Sequence, residues 1–159
     1  MACIIGAQEH LPVEIFGFIS GDTSRAAEQI RAERTCPFMD LPCIKKPYRT
    51  GQPANGSCTV SHLGDPHVIC PKRFLESDRS LLLAEAEFYL GTGGPLVLVP
   101  EVRLGENIGQ VDWVAAKVGE HGQIEDFIGI EIMANQTTQT GPLTDALSEF
   151  ERTGTFSST

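Results

Sequence analysis

The sequence predicts an α/β fold, a mixed sheet with an antiparallel hairpin at its centre, flanked by helices and preceded by a loop module held by four cysteines. Three observations carry that expectation. Residues 25–34 and 78–90 are rich in helix formers and bounded by capping residues. Three runs of β-branched and apolar residues follow, the first two joined by a short glycine-flanked turn. Between the helices lies a stretch with no sustained hydrophobic period, which contains Cys36, Cys43, Cys58 and Cys70.

At 159 residues the chain matches one ordinary domain. Its 41% hydrophobic and 21% charged content excludes a disordered or fibrous protein. No apolar run approaches the ~20 residues of a bilayer span. Glu9 and Glu14 near the start, with no basic opening, leave no secretory signal, so a reducing cytoplasm is expected.

In chain order, Leu11 to Phe18 reads as a strand of alternating apolar residues. Gly21-Asp22-Thr23-Ser24 then offers side-chain oxygens to cap the helix that ends near Arg34. The second helix starts near Ser77 or Asp78, presents a broad apolar face and stops at Gly91, where no Cβ opposes a left-handed turn. Strands are expected over residues 96–104, 110–118 and 126–134, with residues 105–109 forming the hairpin turn. From Asn135 onward Thr, Ser, Gly and Gln dominate, which predicts a flexible tail. The resulting division is 1–34 strand and helix, 35–73 cysteine module, 74–141 helix and sheet, and 142–159 tail.

Five cysteines in a chain without a signal do not suggest a disulfide scaffold. Four of them in a loop-rich segment suit a tetrahedral structural metal, which would order a stretch that lacks its own core. Pro37, Pro42 and Pro71 stiffen the turns beside three of them. His62 and His67 lie between the third and fourth cysteines, and either could displace a thiolate as ligand. Cys3 has no assigned task.

The net charge of -9 argues against a free-standing nucleic-acid binder. All of that acidity comes from the second half, because residues 1–79 carry nine Lys/Arg and nine Asp/Glu. Between residues 31 and 79 there are eight cations against five acids, and Lys45, Lys46, Arg49, Lys72 and Arg73 are candidate phosphate contacts, with a solvated face as the alternative. In the second half, Asp112 and Glu131 interrupt apolar runs, and Glu101 falls opposite Asp112 if the hairpin turns symmetrically. Carboxylates in core strands need a shared cation, a shared proton or an ion pair. A convergence of the three on one Mg²⁺ is one solution, with Glu106 as the alternative third acid. Edge positions open to water, or pairing of Glu131 with Arg103 or Lys117, are the others.

Several short pieces together carry a resemblance: Val13-Glu-Ile-Phe-Gly17, Thr35-Cys-Pro-Phe38, Cys43-Ile-Lys45, Gly56-Ser-Cys58-Thr-Val60, Val68-Ile-Cys70-Pro-Lys-Arg73, Val111-Asp-Trp113 and Gly129-Ile-Glu131-Ile132. In order and separation the chain resembles the NotI-type restriction endonucleases of the PD-(D/E)XK nuclease superfamily, from about residue 11 to 141. The resemblance implies a PD-(D/E)XK-like sheet and a type II, site-specific DNA endonuclease that hydrolyses phosphodiester bonds with Mg²⁺. It further implies a structural metal on Cys36, Cys43, Cys58 and Cys70, iron in this family or else zinc. Catalytic Mg²⁺ would sit on Asp112 and Glu131, with Glu101 as accessory acid, double-stranded DNA as partner, and a homodimer as the acting form.

Two departures qualify the implied activity. The superfamily places a Lys, or in this family a Gln, two residues after the second acid, where this chain has Met133. Lys117 on the neighbouring strand, or Gln136, is the candidate substitute. The family also extends far past the second acid, so the chain is expected to be a fragment or a decayed copy. The alternative function is a non-catalytic four-cysteine metal module that binds DNA or a partner protein.

Overall fold

A computed structural model of the chain describes residues 4–5, 11–45, 53–137 and 141–154. In chain order these form β1 (Ile4–Ile5), β2 (Leu11–Ile15), β3 (Phe18–Ile19), α1 (Arg25–Glu33), β4 (Thr35–Cys36), β5 (Leu41–Pro42), β6 (Ser57–His62) and β7 (Asp65–Val68). A 3-10 turn (Pro71–Leu75) leads to α2 (Glu76–Leu90), β8 (Leu96–Gly105), β9 (Gly109–Val118), β10 (Ile124–Ile130), β11 (Gln136–Thr137) and α3 (Gly141–Thr153). Among the described residues there are thus three α-helices with largely antiparallel sheets. It divides into two compact units: residues up to Arg73 together with those from Ala134 onward, and Phe74–Met133.

The first unit is built on an antiparallel sheet in the order β3-β2-β6-β7. The single strand expected over residues 11–18 doubles back at Phe16 and Gly17, whose φ angles of 49° and 77° are both left-handed. Two such residues make the primed turn whose twist matches a tight hairpin. The next hairpin closes in the same manner through Leu63 (φ 52°) and Gly64 (φ 89°). Residues 57–60 are all buried within a sheet, so this part of the cysteine segment departs from the expectation of a coreless loop. Ser-Cys-Thr-Val reads poorly as a strand because its small, polar residues give no apolar alternation.

The core of this unit comprises Ile15, Phe16, Val60 and Ile69 from the sheet side and Leu143, Leu147 and Phe150 from α3. The predicted flexible tail is therefore a correction: residues 141–153 are helical, and three of their apolar side chains close the core. Leu143, Leu147 and Phe150 follow the i, i+4, i+7 spacing of one helical face, set among Thr, Ser and acids that obscured it. α1 forms as expected, with the Ser24 hydroxyl accepting the Ala27 N–H and Arg34 ending the helix in a left-handed conformation (φ 53°).

In the second unit α2 packs on a three-stranded antiparallel sheet ordered β10-β9-β8. The β8–β9 hairpin agrees with the sequence expectation, but the sheet is antiparallel throughout rather than mixed. Ala86, Leu90 and Ala115 form the buried seam, joined by Leu96, Leu98, Ile128 and Ile130. The apolar face of α2 is narrower than expected, since Phe88 and Tyr89 are exposed. Ser77, Asp78 and Arg79 carry positive φ, so regular right-handed helix begins only after them. Among the described residues no helix is long and apolar enough to cross a membrane.

Leu147→Ala should cost about 2–5 kcal/mol of stability in chemical denaturation, the usual range for emptying a packed leucine site. A change within about 0.5 kcal/mol, typical of a surface position, would mean that α3 does not close this core.

Candidate functional site

The first candidate site is the thiol locus of the first unit. β4 and β5 pair through Thr35 with Pro42 and Cys36 with Leu41, forming a small clasp that carries Cys36 and leads into Cys43. Cys58 lies in β6, and Cys70 follows β7, its backbone N–H donating to the Cys58 carbonyl at 3.2 Å. All four are free thiols. Cys36, Cys43 and Cys70 line one cavity of about 60 Å³ together with Lys45 and Lys72. Among the described residues, however, no three His, Cys, Asp or Glu side chains are grouped closely enough to hold an ion as they stand. Cys3 lies outside the described residues.

The thiols nevertheless interact. Cys58 and Cys70 share a hydrogen bond that raises the Cys58 thiol far above its usual range and pulls Cys70 down to about 6. Backbone N–H groups of Lys72 and Arg73 and the Lys45 ammonium also favour a Cys70 thiolate. Burial pushes the Cys36 thiol up, with Cys43 and Cys70 adding to the rise, against the N–H groups of Phe38 and Met39. Burial also lowers Lys45, partly offset by the sulfurs of Cys70, Cys58 and Cys43. The locus is therefore a set of electrostatically coupled soft donors served by backbone N–H groups.

Lys45 and Arg73 do not behave as phosphate contacts. Lys45 Nζ donates to the Ile69 carbonyl at 2.9 Å, against the thiols. Arg73 Nε lies 2.9 Å from Glu14 Oε1 and 3.1 Å from Oε2, and its guanidinium sits 5.3 Å from the Phe38 ring centroid. Both cations serve the interior. Lys72 is half-buried in the 3-10 turn, while Lys46 and Arg49 lie outside the described residues. His62 stands four residues from Cys58 along β6, about 13 Å at the rise of a strand, so it is not a substitute for that thiolate.

A cavity of about 520 Å³, with no counterpart in the sequence reading, opens between α1 and α3. Arg31 in its wall donates to the carbonyls of Asp22 and Ile19 and stacks 5.3 Å from the Phe150 centroid. Burial lowers its guanidinium below the usual range.

The second candidate site is the acidic strand end of the second unit. The β9–β10 ladder ends with Ile130 paired to Trp113; Glu131 is the next residue after β10 and Asp112 the next toward the start of β9. Asp112 Oδ2 accepts the Ile132 N–H at 2.9 Å, which fixes one carboxylate oxygen and leaves the other available. Glu131 is exposed at the end of the strand. Glu101 lies between Pro100 and Val102, whose partners are Trp113 and Val111, so it stands opposite Asp112 along the hairpin, at a left-handed φ of 53°. Glu106 lies in the exposed turn. Met133 is 75% exposed.

Lys117 stands five residues beyond Asp112, about 17 Å along β9. It shares the parity of Ala115, which packs on α2, and lies near Gly94. It does not reach the acidic end. The side chain of Gln136 lies outside the described residues.

Two measurements probe the thiol locus. In metal-free protein, thiolate absorbance near 240 nm should rise with a midpoint near pH 6, and Cys70→Ser should remove that step. Because the folded value lies below the ordinary 9.0, Cys70's contribution to stability is present above pH 9 and lost as pH falls through 6. Arg73→Ala should cost about 3 kcal/mol in denaturant melts, the low end for stranding a buried carboxylate, because Arg73 is itself partly exposed. A loss below 0.5 kcal/mol would mean Glu14 does not depend on it.

No protein-family model matches this chain and no curated protein is significantly similar to it; the thiol locus and the acidic strand end stand on their own chemistry.

Proposed function

We propose that this chain is the catalytic and metal-binding part of a Mg²⁺-dependent, site-specific DNA endonuclease of the NotI type. One observation carries the reading: the β9–β10 register and the Asp112–Ile132 hydrogen bond, which bring the carboxylate ends of two neighbouring strands together. Two carboxylates with oxygen to spare suit a hard divalent cation that keeps several waters. Mg²⁺, when bound, lowers the pKa of a water and offsets charge on the scissile phosphate.

The chain's own residues would do the rest. Asp112, pinned by the Ile132 N–H, keeps one oxygen oriented, and Glu131 offers an exposed carboxylate without cost of burial. Cys36, Cys43, Cys58 and Cys70 would hold a structural iron or zinc, which fits a donor set already biased toward thiolate at Cys70. Their free thiols suit a reducing cytoplasm. Cutting both strands of a palindrome in double-stranded DNA would require a homodimer.

The second reading, a non-catalytic four-cysteine module that binds DNA or a partner protein, is favoured by a separate observation. Met133 has neither charge nor proton to give, and Lys117 is too far along β9 to replace the missing Lys or Gln. Removing one transition-state stabiliser typically costs on the order of 10² to 10³ in rate.

A plasmid-nicking assay at low salt with Mg²⁺ separates the readings. Wild type should cut slowly, Glu131→Ala should abolish cutting, and Met133→Lys should raise it by roughly 10²-fold. No cutting by either wild type or Met133→Lys would favour the non-catalytic module. Efficient wild-type cutting unchanged by Met133→Lys would show that another residue is the catalyst.

A further inference from the structure

The cavity between α1 and α3 lies wholly within the first unit. At about 520 Å³ it has the size of a small-molecule pocket, and its lining has the same mixed character. Ile15, Phe16, Leu147 and Phe150, all core residues, make up its apolar part. Its charged part balances Arg31 and Arg34 against Glu28 and Glu151. Arg34 and Glu151 are engaged with each other at 2.9 Å, and Arg34 also donates to the Ala54 carbonyl. Glu28 is exposed, so water screens it. Arg31 is therefore the charged group of this wall whose needs are least met.

The Arg31 guanidinium is fixed but incompletely satisfied. Its two terminal nitrogens donate to the Asp22 and Ile19 carbonyls at 2.6 and 2.8 Å, and its centre lies 5.3 Å from the Phe150 centroid. Its Nε is buried and has no hydrogen-bond partner among the described residues. Buried donors are nearly always paired, with protein, with water or with a ligand. Both partners it does have are neutral carbonyls. Asp22, whose carbonyl it holds, turns its own carboxylate to the Ser24 N–H at 2.8 Å. A planar guanidinium held in this way presents a pre-organised edge, and the group that matches such an edge best is a carboxylate.

We propose that this cavity binds a small monocarboxylate with an aromatic or branched aliphatic body, the body against Phe16, Leu147 and Phe150 and the carboxylate on the Nε edge of Arg31. The apolar lining supplies the affinity and the guanidinium the orientation, as in small-molecule pockets generally. One negative charge fits and a second does not, because Glu28 and Glu151 share the wall. The site stands whether or not the chain cuts DNA, since its residues belong to neither the thiol locus nor the acidic strand end.

The test titrates phenylacetate, and its uncharged isostere phenylacetamide, into the full chain and follows the arginine Nε–H signals by ¹H–¹⁵N correlation. Phenylacetate should bind with a Kd on the order of 1 mM, as about ten non-hydrogen atoms allow. It should move the Arg31 Nε–H signal downfield while that of Arg103 stays fixed. Phenylacetamide should bind roughly 10-fold more weakly, because it lacks the charge-assisted bond. Ala32→Trp, at an exposed α1 position in the cavity wall, should abolish binding and leave the protein folded. Glu28→Gln should tighten phenylacetate by roughly 2- to 5-fold, the worth of one exposed charge, and leave phenylacetamide unchanged. An Arg31 signal that does not move, or that moves no more than that of Arg103, overturns the site. So does an Ala32→Trp protein that binds as well as wild type. Equal affinity for the two probes, or no response to Glu28→Gln, overturns the assignment of a carboxylate.

Discussion

Glu14 lies in β2 with 9% of its surface exposed, and a carboxylate so buried is tolerated only because specific donors meet it. The Thr59 hydroxyl donates from β6 at 2.7 Å, and Arg73 Nε spans both carboxylate oxygens from the turn after Cys70. The same guanidinium lies over Phe38, two residues past Cys36. One buried charge thus ties a strand, its neighbour and two cysteine-bearing turns together. Around it the backbone is equally constrained: a Cβ at Gly17 would collide with Pro37, and one at Gly56 with the Phe16 ring. The short pieces of this unit, from Val13-Glu-Ile-Phe-Gly17 to Cys70-Pro-Lys-Arg73, are therefore one contact cluster. Their co-occurrence has a packing reason that precedes any catalytic one.

That cluster also marks what was legible in the sequence. α1 could be read because Ser24 caps it and good helix formers fill it, and the β8–β9 hairpin because Leu-Val-Leu-Val and a glycine-flanked turn signal strand and reversal locally. The Phe16-Gly17 reversal was hidden because a bulky residue takes positive φ there, stabilised by the Phe16 N–H bond to the Gly56 carbonyl forty residues away. β6 was hidden because Ser57, Cys58 and Thr59 are small or polar residues buried without apolar alternation, Thr59 donating to the Glu14 carboxylate. α3 was hidden by composition, its apolar stripe diluted by Thr, Ser and acids. Non-local partners decide each of these, and a local pattern holds no record of them.

The charge pattern misled for a related reason. Eight cations between residues 31 and 79 read as a phosphate-facing surface, yet several of them are held by partners within the chain. Arg31 holds two carbonyls, Arg34 pairs with Glu151 at 2.9 Å, Lys45 faces the thiols, Arg73 holds Glu14, and Arg79 lies 5.4 Å from the Trp113 centroid. A loop-rich unit with few large apolar residues uses long side chains as struts, because one guanidinium can satisfy several carbonyls while its stem and face pack on aromatic rings. A basic stretch in such a unit is weak evidence for nucleic acid. The net charge of -9 weighs further against it.

The acids of the second unit resolve in the opposite direction. A carboxylate within an apolar run demands a counter-charge only if the run stays buried to its end, and here it does not. β10 ends at Ile130, so Glu131 emerges into solvent as the strand finishes, and Asp112 is satisfied by the Ile132 backbone on the neighbouring strand. Neither acid needs a cation to exist where it does, which removes the argument from burial. What remains is an argument from position: one oriented oxygen on Asp112 and one unencumbered carboxylate on Glu131, at the ends of adjacent strands. A site that tolerates an ion without requiring it for folding lets metal bind and leave without loss of the fold. The thiol locus differs in kind: there Cys58 and Cys70 share a hydrogen bond that favours a thiolate on Cys70.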